Sequence, residues 1–331
     1  MLNEHTVEIG TLELSEGGCL SSVRQFVTTL GDPRNPAVFI PHALTGNSRP
    51  SEWWAGLVGE GRTIDPARHF IVGINALGSC YGSTGPADVD PFPYITVRDV
   101  VAAQRRALDA LGIGQIALAI GASLGGMQAL QWALDEPQRV RAAIIVGAHD
   151  HHSAMGVALN ALQREAIALE PAGGLRLARK IAMLSYKSDA LLRRRHDRRA
   201  DRKQRFRFDV EGYLEHQAER LQARMDPRSY AVLTQVMDSF DVRDRIKKTD
   251  AAHGPRLLFV GISSDWLFLP SDVLAAADRF ARAGYDSGYV ELHSDHGHDA
   301  FLAEPELLAS LIAPWLAQRD HWHPFSVVFN T

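Results

Sequence analysis

The sequence predicts an α/β protein in which a mostly parallel sheet is flanked by helices. Short apolar, β-branched segments alternate with amphipathic ones, which is typical of strands that alternate with helices. Several strand segments are apolar at consecutive positions, as burial on both faces of a sheet requires. The predicted strands are 21–30, 36–42, 69–75, 115–122, 140–148, 256–263 and 288–293. The predicted helices are 96–111, 124–135, 271–284 and 305–317.

Strand signals stop between residues 149 and 247, where the sequence is helical and strongly charged. We therefore predict a core formed by residues 1–148 and 248–331, with 149–247 inserted as a helical lid over the ligand-binding edge of the sheet. Within this lid, residues 193–207 carry nine Arg or Lys side chains. We favour a solvated helix surface for them. The alternatives, in order, are a site for the phosphates of an anionic cosubstrate such as coenzyme A and a nucleic-acid site.

The composition is that of an ordinary globular protein, with 46% hydrophobic and 22% charged residues among 331. A net charge of -4 argues against a mainly electrostatic grip on nucleic acid. Cys19 and Cys80 are too few for a disulfide framework and lack metal-ligand spacing. The first residues lack an apolar signal-peptide region, and no stretch reaches the ~18 apolar residues of a membrane helix. We expect a cytoplasmic protein that binds no metal, membrane or nucleic acid.

The most specific local motif is Gly121-Ala122-Ser123-Leu124-Gly125, which lies between a predicted strand and a predicted helix. In a G-x-S-x-G motif with these flanks, the serine occupies a sharp turn that exposes its hydroxyl at the edge of the sheet. Small residues on either side of the serine let the strand and the helix approach each other closely. The motif predicts that Ser123 is a catalytic nucleophile.

A serine hydroxyl needs a histidine base, and the imidazole needs a carboxylate that fixes its tautomer. With this motif, the acid and then the histidine follow the serine along the chain. Asp265 follows the predicted strand 256–263, so it lies at the carboxyl edge of the sheet. His298 follows Gly297 ahead of a predicted helix and is our choice for the base, with His296 as the runner-up. The predicted triad is therefore Ser123, Asp265 and His298.

Acyl transfer also needs hydrogen-bond donors for the oxyanion that develops on the carbonyl group. One donor is the backbone N–H of Leu124, the residue after the nucleophile. The second comes from the loop HALTG (42–46), where the N–H of Leu44 or of Thr45 is the candidate.

With these residues the chain resembles the homoserine O-acyltransferases of the α/β-hydrolase fold, of which homoserine O-acetyltransferase is the best-known member. The resemblance spans most of the chain, and its motifs follow the family's order. The matching pieces are HALTG (42–46), NALGSCYGSTGP (75–86), ITVRDVVAAQ (95–104), GASLGGMQALQWA (121–133), LARKIAMLSYKS (177–188), FDVEGYLEHQ (208–217), SYAVLTQVMDSFDV (229–242) and GHDAFL (297–302).

The resemblance implies that Ser123 takes an acyl group from acyl-coenzyme A and passes it to the hydroxyl of L-homoserine, in methionine biosynthesis. It implies that Arg179 and Tyr186 hold the acceptor's carboxylate and that Asp299 holds its ammonium. A guanidinium suits a carboxylate by charge and geometry, and a carboxylate suits an ammonium by charge. It also favours His298 over His296. A homodimer through the lid is expected, with acyl-coenzyme A as cosubstrate and no bound cofactor.

The chain departs from the family pattern at three places. The elbow is GASLGG where the family usually has GGSMGG, and a stretch that the family carries between QREAIALEP (163–171) and GGLRLARK (173–180) is missing. The segment 193–207 is also richer in arginine than the family pattern. Three alternatives therefore stay open, namely a serine or homoserine O-succinyltransferase, an ester hydrolase of the same fold, and a non-catalytic binding protein.

Overall fold

The computed structural model of the protein describes residues 2–201, 205–246 and 254–318. Its central feature is one sheet of eight strands, which runs through the middle of the molecule. The strands are β1 Leu2–Glu13, β2 Cys19–Leu30, β3 Ala37–Phe39, β4 Phe70–Ile74, β5 Leu118–Ala122, β6 Ala142–Val146, β7 Arg256–Ile262 and β8 Ser287–Leu292. Their order across the sheet is β1-β2-β4-β3-β5-β6-β7-β8.

Six of these strands, β3 to β8, run parallel to one another, whereas β1 and β2 are antiparallel additions at one edge. All residues of β4, β5 and β6 are buried, which agrees with their consecutive apolar positions. The predicted α/β class with a mostly parallel sheet is therefore confirmed. The sequence analysis missed β1, whose residues are mostly exposed because only one face of this edge strand packs on the core.

Alternate residues of each strand point to opposite faces of the sheet, and helices pack on both faces. Leu118 and Ile120 of β5 belong to one apolar cluster with Leu308 and Ile312, while Ala119 belongs to a second cluster on the other face. The helices before the inserted segment are α1 Pro50–Trp53, α2 Val97–Ala110 and α3 Leu124–Asp135, and those after it, numbered onward along the chain, are α10 Pro270–Arg282, α11 Ala300–Ala303 and α12 Pro305–Ala317.

The segment between β6 and β7 is mostly helical in its described part, with turns and a β-bridge between residues 196 and 208. Its two ends meet at the sheet, where the Val242 N–H donates to the Asp150 carbonyl oxygen at 2.9 Å and the His152 N–H donates to the Phe240 carbonyl oxygen at 2.8 Å. These bonds hold the entry and exit of the segment together. Its helices are α4 Ala154–Leu169, α5 Pro171–Ser185, α6 Asp189–Arg195, α7 Asp209–Gln222, α8 Pro227–Asp238 and α9 Arg243–Ile246.

The stretch that is missing relative to the family pattern would lie between α4 and α5, where the chain turns abruptly. A single residue, Glu170, separates the two helices and caps α5 by accepting the Ala172 N–H at 3.0 Å. Gly174 permits the close crossing, because a Cβ there would collide with the backbone of Ala166. A glycine at this position is therefore needed for the short connection.

Among the described residues, no single helix has both the length and the apolar composition to cross a membrane. The consecutive helical segments Gly297–Ala303 and Pro305–Ala317 are long and apolar enough only when they are taken together, and a bend of 83° separates them. Two features of the sequence analysis lie partly or wholly outside the described residues, namely the boundary at 247–248 and part of the basic segment 193–207.

Candidate active site

Ser123 lies at the sharp turn that joins β5 to α3. Its backbone has φ 55° and ψ -125°, in a region that residues with a side chain rarely adopt. The Ser123 N–H donates to the Val146 carbonyl oxygen at 2.9 Å, which ties the turn to the end of β6. This strained, anchored conformation is the one that a nucleophile at a strand-to-helix elbow requires.

The glycines that flank Ser123 are needed because backbone approaches closely on both sides. A Cβ at Gly121 would collide with the carbonyl group of Gly125, and a Cβ at Gly125 would collide with the carbonyl oxygen of Pro41. Pro41 directly precedes the HALTG loop, so Gly125 also lets this loop lie against the first turn of α3. The small residues predicted from the motif therefore have a direct steric reason.

Asp265 and His298 form a buried hydrogen-bonded pair at the same edge of the sheet. The distance from Nδ1 of His298 to Oδ2 of Asp265 is 2.6 Å, and each residue is only 2% exposed. Oδ1 of Asp265 accepts the N–H groups of Leu267 at 2.9 Å and Phe268 at 3.0 Å, so the carboxylate cannot rotate freely. Because a carboxylate only accepts, the proton lies on Nδ1 and leaves Nε2 as the basic nitrogen.

The surroundings of His298 are aromatic on three sides. Its ring is stacked on Phe268 with the ring centroids 5.1 Å apart, and the rings of Tyr186 and Phe301 lie at 5.6 and 5.7 Å. Burial alone would lower the pKa of His298. The charge and the hydrogen bond of Asp265, with a further contribution from Asp299, outweigh burial and raise this pKa above 6.5.

The ends of neighbouring strands place Ser123 and His298 at one edge of the sheet. Ser123 is bonded to Val146, and the next residue, Gly147, donates to the Val260 carbonyl oxygen at 2.9 Å. A Cβ at Gly147 would lie 3.3 Å from Cε1 of His298, so the imidazole packs directly on this backbone. In the described structure Nε2 of His298 is buried and has no hydrogen-bond partner, so no hydrogen bond joins it to Oγ of Ser123.

The geometry distinguishes the two candidate histidines. Asp265 is bonded to His298, whereas the His296 N–H donates to Oγ of Ser294 at 3.0 Å and its ring has no hydrogen bond to Asp265 within the described chain. Burial lowers the pKa of His296 despite the opposing charge of Glu304. The choice of His298 over the runner-up is therefore supported by its carboxylate partner.

The predicted oxyanion donors belong to two segments that are fixed to each other. Leu124 is the first residue of α3, so its N–H precedes the first hydrogen bond of the helix and is available to a ligand. Gln128 of the same helix donates to the carbonyl oxygen of His42 at 3.1 Å, which attaches α3 to the loop with Leu44 and Thr45.

His42 and Gln128 are positioning residues that the sequence analysis did not single out. Nδ1 of His42 bonds to the Ala43 carbonyl oxygen at 2.8 Å and Nε2 accepts the Ala76 N–H at 2.9 Å, an arrangement that requires a neutral ring. Burial lowers the pKa of His42 to about 4, which keeps the ring neutral at physiological pH. The feature of the sequence that could have identified His42 is its place as the first residue of HALTG.

Of the residues assigned to the acceptor by resemblance, Tyr186 and Asp299 lie next to His298, and Arg179 lies beside Tyr186. The guanidinium carbon of Arg179 is 5.8 Å from the Tyr186 ring centroid, and Nε of Arg179 is buried without a hydrogen-bond partner in the described chain. Burial, together with Asp299, raises the pKa of Tyr186 to about 12, although Arg179 opposes this. Asp299 is not free, because its Oδ2 lies 2.7 Å from Nζ of Lys187. Lys187 is a further charged group that the sequence analysis missed.

A cluster of histidines lies near the base of the inserted segment. Within the described chain, His149, Asp150 and His151 have potential metal-ligating atoms within 4.8 Å of one another. However, Arg279 donates to both Asp150 oxygens at 2.6 and 2.8 Å, so a bound cation would compete with a guanidinium. We therefore describe this group as an anchor between β6 and α10 and assign no metal to it.

The described part of the basic segment 193–207 is largely paired within the protein. Arg193 bonds to Asp189 at 2.7 Å, and Arg194 bonds to Asp295 at 2.5 Å. Two other arginines lie over aromatic rings, Arg198 at 5.1 Å from Phe208 and Arg205 at 4.8 Å from Phe206. Among the described residues of this segment only 193–195 lie in a helix, and residue 200 forms a β-bridge with Phe208. The favoured interpretation of a helix surface therefore holds for residues 193–195 alone, and a role in phosphate binding stays a prediction.

A cavity of about 570 Å³ opens at the opposite end of the sheet from Ser123. It is lined by Ala37, Ala117 and Arg141, which lie at the amino ends of strands or just before them, and by His5 and Arg34. Because functional groups in parallel α/β sheets cluster beyond the carboxyl ends of the strands, this cavity is not part of the candidate active site.

The chain is similar to known proteins along most of its length. A family model described as the alpha/beta hydrolase fold matches residues 36–305. The chain is 42% identical over 311 residues to a homoserine O-acetyltransferase of Deinococcus radiodurans, a match that covers 92% of this chain and 90% of the relative. It is 35% identical over 317 residues to a homoserine O-succinyltransferase of Methylibium petroleiphilum, with 83% and 82% covered.

Solved structures give the same picture of the fold. A homoserine O-acetyltransferase from Staphylococcus aureus matches with a TM-score of 0.83 at 27% identity, with 97% of each chain covered. The acetyl esterase MekB matches with a TM-score of 0.81 at 22% identity, covering 95% of this chain and 96% of the other. At that identity the second likeness concerns the fold alone, and it illustrates that transferases and esterases share this architecture.

Proposed function

The chain belongs to the family of the homoserine O-acetyltransferases within the alpha/beta hydrolase fold, and from this premise we propose that it transfers an acyl group from acyl-coenzyme A to the side-chain hydroxyl of L-homoserine. An acetyl donor and a place in methionine biosynthesis are supported by relatives named as acetyltransferases at 42% and 38% identity. A succinyl donor is the second candidate, because a relative at 35% identity is named a succinyltransferase.

In the first step, Oγ of Ser123 attacks the thioester carbonyl while Nε2 of His298 takes the hydroxyl proton. The oxyanion accepts hydrogen bonds from the N–H of Leu124 and from that of Leu44 or Thr45. When the intermediate collapses, the carbon–sulfur bond breaks and the proton on Nε2 goes to the departing thiol. The products are free coenzyme A and an acyl ester on Ser123.

In the second step, the acceptor hydroxyl gives its proton to Nε2 of His298 and its oxygen attacks the acyl ester. The same N–H groups stabilise the second oxyanion. Its collapse returns the proton to Ser123 and releases the O-acylated amino acid. Asp265 balances the positive charge of the imidazolium in both steps, since it is bonded to Nδ1 at 2.6 Å.

The observation that carries this proposal is the buried, unpartnered Nε of Arg179 beside the triad. A buried guanidinium nitrogen without a hydrogen bond is costly, and an acceptor carboxylate would satisfy it with a charge-assisted bond. The neighbouring Tyr186 ring joins this site to His298, and Asp299 follows His298 directly in the chain. A charged amino acid therefore has a place in this site, which an ester hydrolase does not need.

Replacing Arg179 with methionine tests this assignment. We expect the Michaelis constant for L-homoserine to rise about 30-fold or more, because a hydrogen bond between charged groups is lost. Acylation of Ser123 should change less than about 3-fold, since it precedes acceptor binding. Steady-state kinetics and a single-turnover measurement of acyl-enzyme formation give the two quantities.

The matched control for this experiment is Arg176→Met, one turn away on α5, where the guanidinium pairs with Glu215 instead. This variant should keep the acceptor's Michaelis constant. An unchanged constant in Arg179→Met would remove Arg179 from the acceptor site, and rapid acyl-enzyme hydrolysis without acceptor would favour the hydrolase alternative.

We further propose that residues 149–247 act as a lid and that two lids pair in a homodimer. An exposed apolar stripe supports this, because Met155, Leu162 and Leu169 recur two turns apart on α4 while Leu177 and Leu184 do so on α5. Leu169 is 83% exposed, an unusual state for a large apolar side chain on a helix of a monomer. Pairing with a second copy would bury the stripe.

Replacing Leu177 with glutamate should weaken this dimer at least ~10-fold. In a two-fold interface each substitution occurs twice, and a buried charge without a partner is costly. Analytical ultracentrifugation at graded concentrations measures the effect. Leu274→Glu on α10, another exposed leucine outside the stripe, should leave the dimer unchanged. A wild-type protein that stays monomeric at every concentration would contradict the proposed pairing.

Finally, we propose that the protein acts in the cytoplasm and uses acyl-coenzyme A as a cosubstrate without a bound cofactor. The proposed chemistry supports the lack of a bound cofactor, because backbone N–H groups stabilise the charge that develops in each step. The partners are thus the two small-molecule substrates and a second copy of the chain.

A further inference from the structure

The short segment Tyr186–Ser188, which follows α5, lies directly on the turn that carries His298. The Asp299 N–H donates to the carbonyl oxygen of Tyr186 at 3.2 Å, and the hydroxyl of Ser188 donates to the carbonyl oxygen of Asp295. Trp266, next to Asp265, donates from Nε1 to the Lys187 carbonyl oxygen at 3.1 Å. The segment is therefore bonded to both loops that supply the acid and the base.

Gly297 shows how close this contact is. Its φ is +66°, and a Cβ there would lie 2.7 Å from the Tyr186 carbonyl oxygen and 2.8 Å from the Ser188 nitrogen. A side chain at this position would both strain the backbone and separate the two segments. The turn that carries His298 is thus shaped to receive Tyr186–Ser188.

An ion pair connects the two segments next to the base. Nζ of Lys187 lies 2.7 Å from Oδ2 of Asp299, and their side chains are only 10% and 18% exposed. Ion pairs with little access to water are strongly coupled, because removing one partner leaves the other charge without compensation. Lys187 therefore fixes both the position and the electrostatic effect of Asp299.

We propose that Lys187 is a positioning residue of the acyl-transfer reaction, which holds Asp299 and the Gly297–Asp299 turn in place and offsets the negative charge beside His298. This inference rests on the proposed function, because it assigns His298 the role of general base. Lys187 belongs to the inserted segment and lies outside the triad, yet it controls the protonation of His298.

Among the described residues, the titratable groups that face His298 from the elements packed around it are Asp265, Asp299, Lys187, Tyr186 and His152. Tyr186 and His152 are neutral at physiological pH, because burial raises the pKa of the former to about 12 and lowers that of the latter to about 3. Asp265 and Asp299 favour the charged imidazole and Lys187 opposes it. The balance between Asp299 and Lys187 can therefore be changed without touching the triad.

The test is the pH dependence of Ser123 acylation by p-nitrophenyl acetate in single-turnover experiments without an acceptor. His298 must be neutral to accept the proton, so the acid limb of the profile reports its pKa. Lys187→Met removes a positive charge and should move this limb to higher pH by ~0.5–1 unit. Asp299→Asn removes a negative charge and should move the limb to lower pH, while the double variant should lie between the two.

Two further variants separate charge from packing. Lys187→Arg keeps the charge and should restore the wild-type midpoint. Lys180→Met, on α5 and paired with Glu215 at 2.5 Å, is the matched control and should not move the midpoint. The inference is overturned if Lys187→Met lowers the rate equally at every pH, or if Lys187→Arg shifts the midpoint as far as methionine does.

Failure of this inference can be distinguished from failure of the proposed function. If p-nitrophenyl acetate does not acylate Ser123 in the wild-type protein, the mechanism itself is wrong and the inference falls with it. If acylation occurs and the profile ignores the charge at position 187, only the role of Lys187 is refuted. Should Lys187→Met not fold, Lys187→Gln removes the same charge and replaces it in the test, and an unmoved acid limb in Asp299→Asn still refutes the electrostatic coupling.

Discussion

The Ser123→Ala variant is expected to lose acyl transfer by a factor of ~10⁵ or more, the effect seen when a catalytic serine is removed. The reason is that the turn between β5 and α3 presents one hydroxyl, held at φ 55°, where the acyl group must be carried between the substrates. Mass spectrometry of the intact protein after mixing with acetyl-coenzyme A should detect an acylated wild-type chain and an unmodified variant.

Ser310→Ala is the matched control for this experiment, since Ser310 is exposed on α12 and bonds only within its helix in the described structure. It should be acylated at the wild-type rate. A Ser123→Ala protein that still carries the acyl group, or that keeps more than about a hundredth of the transfer rate, would refute an acyl-serine mechanism.

The second large effect is expected for Asp265→Asn, which should lower the rate constant about 10⁴-fold at neutral pH. Oδ1 of Asp265 accepts two backbone N–H groups, so the amide oxygen of an asparagine would take that position and its NH₂ would face His298. Nδ1 of His298 would then have to accept, which moves the proton to Nε2 and blocks the base. Rapid-quench measurement of acyl-enzyme formation gives the rate constant.

The control for Asp265→Asn is Asp278→Asn, an exposed position on α10, which should behave as the wild type. Thermal unfolding of both variants should show folded proteins, because the substitution keeps the size of the side chain. If Asp265→Asn retains more than about a tenth of the wild-type rate, another group orients His298 and the proposed triad is incorrect.

Most of the core could be predicted because its signals are local. The helices 124–135 and 305–317 have the same bounds in sequence and structure, and the elbow around Ser123 follows from a strand, a glycine-bounded serine and a helix in immediate succession. The strand β1 was missed because only a few of its residues are buried, so its pattern is weak. Edge strands carry less hydrophobic information than central ones.

The parts that could not be predicted depend on contacts between distant segments. Nothing in the sequence around Lys187 indicates that it pairs with Asp299, which is more than a hundred residues away. The anchoring of Asp150 by Arg279 is equally remote along the chain. The family resemblance predicted a set of acceptor-binding residues, whereas the ion pair between Lys187 and Asp299 becomes visible only in the folded structure.

The central claim is that the acyl group passes to an amino acid and not to water. Its most direct test is thiol release from acetyl- and succinyl-coenzyme A by the purified protein, with L-homoserine, with L-serine or without an acceptor. The account predicts rapid, continuous release with acetyl-coenzyme A and L-homoserine, and at most one thiol per active site when no acceptor is present. Continuous release at the same rate without an acceptor would contradict it and establish a hydrolase.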